Sequence, residues 1–221
     1  MKLLSVGLAR SIWYFNIRDL NPEGISLFPA IRSLIERYKF TNVPSPQELI
    51  EQKPDGAFMF KGGEFTNSAD KLLVVTLTAY EWGLIADTMS STQDSDAFLA
   101  DMLNHLSETF NLLRHEQIIR KINYVSHLNV STDKSLELIN PKLKEISKYL
   151  TNNVVGHKNV PFQTGGIHFW PDQIYPVHAT PFSLDRAAGI PFAENRYFSA
   201  SPLQTDKHIE LLDKLEVILA S

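Results

Sequence analysis

With 221 residues, 43% of them hydrophobic and 21% charged, the chain has an ordinary globular make-up and is long enough to bury a full core. Its formal net charge of −4 gives no electrostatic reason to expect a polyanionic partner. The absence of cysteine removes disulfides, thiol nucleophiles, cysteine-bearing zinc sites and iron–sulfur clusters.

The N-terminus, MKLLSVGLARSIWYFNI, resembles a secretory leader only briefly. Ser5, Gly7 and Arg10 break its apolar run, and no small-x-small cleavage pattern follows. It reads as the lead-in to a strand over Ser11–Arg18. No apolar run approaches the ~20 residues of a membrane helix. The expected setting is cytoplasmic, without a membrane partner, and the lack of cysteine accords with a reducing compartment.

Asn21-Pro22-Glu23-Gly24 is a turn, and Ser26 is placed to cap a helix to about Phe40. Leu27, Phe28, Ile31, Leu34, Ile35 and Tyr38 form its apolar stripe, with Pro29 tolerated in the first turn. Ser45-Pro46-Gln47-Glu48 opens a short helix to Gln52. A meander follows: a strand over Ala57–Lys61, a hairpin turn at Lys61-Gly62-Gly63-Glu64, a strand over Lys71–Tyr80, and its partner over Trp82–Met89. Leu72–Leu77 is apolar on both faces, which predicts a central strand. Trp13 and Trp82 fall in strand patterns and read as core.

Beyond the polar loop Ser90–Ser95, the spacing of Phe98, Leu99, Met102, Leu103, Leu106, Phe110 and Leu113 predicts the clearest amphipathic helix, with His105 at the stripe's edge. Ile118–Val130 returns to strand. A helix opened by Asn140-Pro141 follows, with Leu143, Ile146 and Leu150 inward. The stretch 159–202 holds half of the prolines and several aromatic clusters. It reads as a bent arm with short strands at Val160–Gln163, Ile167–Trp170, Ile174–Val177 and Arg196–Ala200. Thr205 caps a last helix with Ile209, Leu212, Leu215 and Leu219 on one face.

Strands and helices mix without βαβ alternation. The expected fold is therefore α+β: a mixed, mainly antiparallel sheet packed with three or four amphipathic helices, plus the proline-rich irregular arm. The expected division is a core over residues 1–151 and an arm with C-terminal helix over 152–221, packed on the same domain.

Most catalytic signatures are missing. There is no phosphate loop, no Gly-x-Ser-x-Gly elbow and no His-Glu-x-x-His. Glu51-Gln52-Lys53 has nuclease-like letters but falls at a helix end. Three constellations remain. His168, Asp172 and His178 carry donors suited to a divalent metal, although Trp170 and Pro171 between them can force the side chains apart. His178-Ala179-Thr180 has the letters of one His-x-Ser/Thr half of the pair used by two-histidine phosphoesterases. The other half, His127-Leu128-Asn129, has asparagine where the hydroxyl residue stands, so only one half matches. Arg186 and Arg196, among Asp185 and Glu194, could grip a carboxylate or phosphate, or pair locally and fix the loop.

Phe169, Trp170, Tyr175 and Phe182 lie among prolines, as rigid binding anchors do, and are expected to form an accessible apolar patch. The expected function is a non-enzymatic cytoplasmic accessory, adaptor or sensor module, acting on another protein or by self-association, with no cofactor. The alternative is a small hydrolase or phosphoesterase, with or without a metal, using His127, His168 and His178. Nucleic-acid binding would need Arg10, Arg18, Lys39, Lys121, Lys142 and Lys144 gathered on one face, and no motif supports it.

Overall fold

The structure is a computed structural model that describes residues 1–45, 47, 57–154, 160–172 and 180–220. Eight strands form one antiparallel sheet of order β2-β3-β4-β1-β5-β8-β7-β6. They are β1 (Lys2–Tyr14), β2 (Phe58–Thr66), β3 (Leu72–Tyr80), β4 (Gly83–Thr88), β5 (Lys121–Ser131), β6 (Gly166–Phe169), β7 (Phe182–Arg186) and β8 (Arg196–Ser201). Among the described residues there are four α-helices: α1 (Phe28–Tyr38), α2 (Thr92–Phe110), α3 (Lys144–Asn153) and α4 (Thr205–Ala220). The fold class is α+β. No helix among the described residues is long and apolar enough to cross a membrane.

The chain divides into two compact units. One comprises Leu8–Ser126 with Leu203–Thr205; the other comprises Met1–Gly7, His127–Pro202 and Asp206–Ser221. The boundary expected near residue 151 falls inside the second of these.

In the unit containing Leu8–Ser126, Leu34 and Tyr38 of α1 and Phe98, Leu99, Met102, Leu103 and Leu106 of α2 are buried with strand residues such as Trp13, Phe60, Val75, Leu77 and Leu84. Leu27, Phe28 and Leu113 of the expected stripes are instead exposed. Two expected helix starts are corrected. Ser26 caps nothing: α1 begins at Phe28, with proline in its first turn and no side-chain cap. The loop Ser90–Ser95 is already helical from Thr92, because Ser91 accepts a hydrogen bond from the Asp94 N–H at 3.0 Å. Asp96, one turn further, accepts from Ser11 Oγ, from Trp13 Nε1 at 2.8 Å and from Tyr124 Oη at 3.0 Å. One carboxylate thus ties the start of α2 to β1 and β5.

The Gly62-Gly63 pair is not the hairpin turn. The β2 strand runs through it with a register shift between Phe60 and Gly63. Gly62 has φ +67°, and a Cβ there would run into the Thr41 hydroxyl, so glycine lets the strand bulge over the segment that bridges to it through Asn42 and Lys61. The true turn is Asn67–Asp70, where the Asn67 carbonyl oxygen on the side chain accepts from the N–H groups of Ala69 and Lys71.

Thr92 and Thr205 cap each other. The Thr92 N–H donates to Thr205 Oγ1 at 3.0 Å, and the Thr205 N–H donates to Thr92 Oγ1 at 2.9 Å, both buried. Each hydroxyl satisfies a first-turn donor of the other's helix. Replacing either threonine by valine is expected to cost about 1–2 kcal/mol in urea denaturation. The double variant should cost clearly less than the sum, since the first change already disrupts the exchange. Strict additivity would count against reciprocal capping.

In the unit containing His127–Pro202, α4 presents Leu212, Leu215 and Leu219 to Leu128, Val130, Leu184 and Tyr197, with Ile209 packed at the edge. The α4 stripe is as expected. The α3 stripe is not: Leu143, Ile146 and Leu150 are exposed, Ile146 by 57%, and α3 buries no residue. The α4 leucines and Leu136 already complete this core, leaving α3 to be held by contacts such as Phe162 N–H to Thr151 Oγ1 at 3.1 Å. No strand forms at residues 160–163, whereas β7, which was not expected, supplies the centre of the meander β6-β7-β8. The strand expected at Ile174–Val177 and the helix expected at residues 46–52 lie largely or wholly outside the described residues.

Candidate functional site

The β6-β7-β8 meander brings the arm's chemistry onto two faces. His168 stands opposite Ser183, and its Nε2 is 2.9 Å from Asp185 Oδ1. Gly166 permits this close pairing, because a Cβ there would overlap the Asp185 carboxylate and the Leu184 carbonyl. Asp185 is in register with Phe198 on β8, and the Phe198 ring meets the His127 ring at 5.2 Å, edge to face. His127, Phe198, Asp185 and His168 therefore form a row across four strands.

At roughly 4.7–4.9 Å per strand, β5 and β6 lie three steps and about 14 Å apart. Phe198 and Asp185 fill the interval, so His127 and His168 do not converge on a common reacting atom. His178 lies outside the described residues, as does Tyr175. Of the expected metal trio, the residues in view are His168 and Asp172, and the carboxylate that His168 meets is Asp185. No group of three metal-ligating side chains occurs among the described residues.

The other face holds a serine–histidine pair that belongs to none of the three sequence constellations. Ser199 and His208 are fully buried, with Ser199 Oγ 2.8 Å from His208 Nε2. The letters suggest a nucleophile and its base, but the proton directions oppose it. Ser199 Oγ donates to the Ser183 carbonyl at 2.8 Å, so its proton is committed away from the ring. His208 must then donate its Nε2–H to Ser199 Oγ. Burial first, then the nearby His127, pushes the His208 imidazole down to about 4, keeping it neutral. This is a structural link between α4 and β8. A sequence signal existed: His208 is four residues before Leu212, on the same stripe as Leu212, Leu215 and Leu219.

The arginines are engaged rather than open. Arg196 pairs with Glu194 at 3.0 Å, as a local loop contact. Arg186 donates from Nη2 to Gln163 Oε1 at 2.7 Å, from Nε to the Thr164 carbonyl and from Nη1 to the Phe192 carbonyl. Its guanidinium also lies over Phe192 at 4.6 Å and Tyr197 at 5.4 Å. Arg186 is a clamp that fastens residues 163–164 and 192 to the meander, and its fork is not free for a ligand.

The three rings of the expected patch that lie among the described residues separate. Phe169 and Trp170 are 60% and 67% exposed, at the end of β6. Phe182 is only 7% exposed and belongs to the core, with its ring 6.0 Å from His208. The pairing Phe169–Phe182 on adjacent strands explains the split, since β7 is interior to the sheet and β6 is its margin. Trp82, expected as core, is half exposed and stacks on Tyr80 at 4.5 Å and Tyr14 at 5.2 Å, while Trp13 is buried. Among the cations a nucleic-acid surface would need, Arg10 grips Asp87, Arg18 pairs with Glu81 and Lys39 with Glu64. The chain matches no protein-family model, and no curated protein matches it significantly.

Proposed function

We propose that this protein is a non-enzymatic accessory, adaptor or sensor module that works by binding another polypeptide, or a second copy of itself, through the margin formed by β6 and the rings beyond it. The observation that carries this reading is the contrast between the two edges of the sheet. The β2 edge is defended: it carries a bulge, Lys61 and Glu64, and Asn42 bridges to it. The β6 edge carries none of these devices among the described residues. It is a short strand followed at once by the exposed Phe169–Trp170 pair. A strand margin next to rigid aromatic anchors suits addition of a strand from another chain. A cytoplasmic setting accords with the lack of cysteine and with the sequence reading.

The hydrolase reading has less support, because His127 and His168 are held apart and the buried Ser199–His208 pair has its protons directed away from nucleophile activation.

The test compares the wild-type chain with an F169S/W170S variant. A concentration-dependent dimer in sedimentation that the variant abolishes would support self-association. A wild-type monomer that recovers a defined complex from its source cells, lost in the variant, would support a separate partner. Unchanged sedimentation together with unchanged complexes would overturn the reading.

A further inference from the structure

The unit containing Leu8–Ser126 encloses a cavity of about 460 Å³ between α1, α2 and the sheet. Its walls include Ile31 and Leu34 of α1, Leu77 and Ala79 of β3, and Met102 and Leu106 of α2. Much of this lining is the hydrophobic core itself. The cavity reaches solvent past Ile25, Leu27 and Phe28, which are all exposed despite being large and apolar. It goes beyond the β6 margin and concerns different residues.

Three observations define what it would hold. The size falls within the ~300–1,000 Å³ of small-molecule sites and would take about ten to fifteen non-hydrogen atoms at roughly the 30 Å³ of a water molecule each. Among the described residues, no charged side chain lines it. The polar side chains among its described lining residues are Asn21 and Ser26, and Asn21 is occupied: Nδ2 donates to the Ile25 carbonyl at 2.7 Å, and Oδ1 accepts from the Ile25 N–H at 3.0 Å. Ordered water needs two to four polar partners, which these carbon walls do not offer. The same Asn21–Ile25 bonds shape the loop at the mouth, with Gly24 at φ +65°.

We propose that this cavity is a binding site for an uncharged, chain-like apolar small molecule. With no cation among the described lining residues, an uncharged molecule suits these walls better than a fatty acid or other carboxylate, whose buried charge would need a partner. The apolar mouth suits a molecule that enters along its length, with the end of the chain among Leu77, Met102 and Leu106.

Nile red, an uncharged dye, titrated into the full chain and displaced by straight-chain 1-alkanols from hexanol to hexadecanol, is the test. Expected are saturable binding at one site per chain, displacement that strengthens with alkanol length and then falls beyond an optimum, and alkanoates weaker than alkanols of equal length by roughly tenfold or more. An A79F substitution, which fills the cavity from β3, is expected to weaken displacement by roughly tenfold or more while the thermal midpoint holds or rises. Should A79F fail to fold, A79V must weaken binding in the same direction to a lesser extent. Absent or non-saturable binding by the wild-type chain, affinity that rises with length without an optimum, equal affinity for alkanoates, or wild-type affinity in a folded A79F or A79V would each overturn the proposal.

Discussion

Replacing Phe98 by alanine is expected to remove about 3–5 kcal/mol of stability, the range for truncating a fully buried aromatic side chain. Phe98 is 0% exposed and stands where three elements meet. Its ring lies edge-on to Tyr38 of α1 at 5.0 Å and to Phe65 of β2 at 5.6 Å. Truncation leaves a void in a core that cannot close without moving α1, whose Tyr38 is also fixed by donating to Asp101 at 2.6 Å. The aromatic contacts add to the loss of buried area, since edge-to-face pairs contribute roughly 0.5–1.5 kcal/mol beyond burial. F98L keeps most of the volume and should cost about 1.5 kcal/mol or less. Against the ~5–15 kcal/mol that holds a typical domain together, F98A would leave a marginal protein. Urea denaturation followed by near-ultraviolet circular dichroism measures both variants. A cost below about 1 kcal/mol for F98A would mean that this three-way packing does not carry the unit.

Much of this arrangement was legible because period and burial coincide. The α2 residues Phe98, Leu99, Met102, Leu103 and Leu106 recur at helical spacing, and all are buried. The α4 leucines behave likewise. Where a pattern and its burial part company, the reading fails for a physical reason. Leu143, Ile146 and Leu150 repeat as a core face would, yet α4 and Leu136 already occupy the core they would join. Gly62-Gly63 looks like a turn because glycine permits positive φ, but a bulge uses the same freedom while the strand continues. The β1 strand begins at Lys2, nine residues before the expected start, because its first residues carry neither the alternation nor the aromatic weight that reveals Ser11–Tyr14.

The candidate site was less legible because it depends on strand order. Nothing in the local sequence places β8 between β5 and β7, yet that order puts Phe198 and Asp185 between His127 and His168. The strand β7 itself, Phe-Ser-Leu-Asp-Arg, is short and follows Pro181, and its alternation is clear only once Phe182 and Leu184 are seen to share a buried face. The division of the expected aromatic patch follows from the same fact: Phe182 lies on an interior strand, and Phe169 and Trp170 at the margin. Arg186 has the fork geometry that suggests an anion site, but its partners are the Thr164 and Phe192 carbonyls and Gln163, distant enough along the chain to be invisible to motif reading.

Acid should destabilise the protein through His208. Its imidazole titrates near 4 in the folded chain against 6.5 ordinarily, because burial opposes the charged form and His127 adds repulsion. The folded pKa is depressed, so between pH 6.5 and 4 the unfolded chain binds a proton that the folded chain refuses. Stability is therefore fully present above pH 6.5, falls as pH drops through this window, and levels off below about 4. A gap of about 2.5 pH units corresponds to ~3 kcal/mol, at 1.36 kcal/mol per unit. Carboxylates contribute their own acid sensitivity. Glu210, paired with Lys207 and Lys214, is held down to about 2, and Glu216, bonded to the N-terminal ammonium and Thr132, also lies below the ordinary range. These contributions persist when histidine is replaced, which separates the two sources. H208L retains the Ser199–Ser183 bond, fills the ring's place with an apolar side chain and cannot titrate. Urea denaturation of both chains from pH 7.5 to 4 should show the wild type losing about 3 kcal/mol more than H208L, mostly between pH 6.5 and 4.5. Parallel pH curves for the two chains would mean that His208 accepts its proton in the folded state, and that the buried serine–histidine link is not the neutral tether described above.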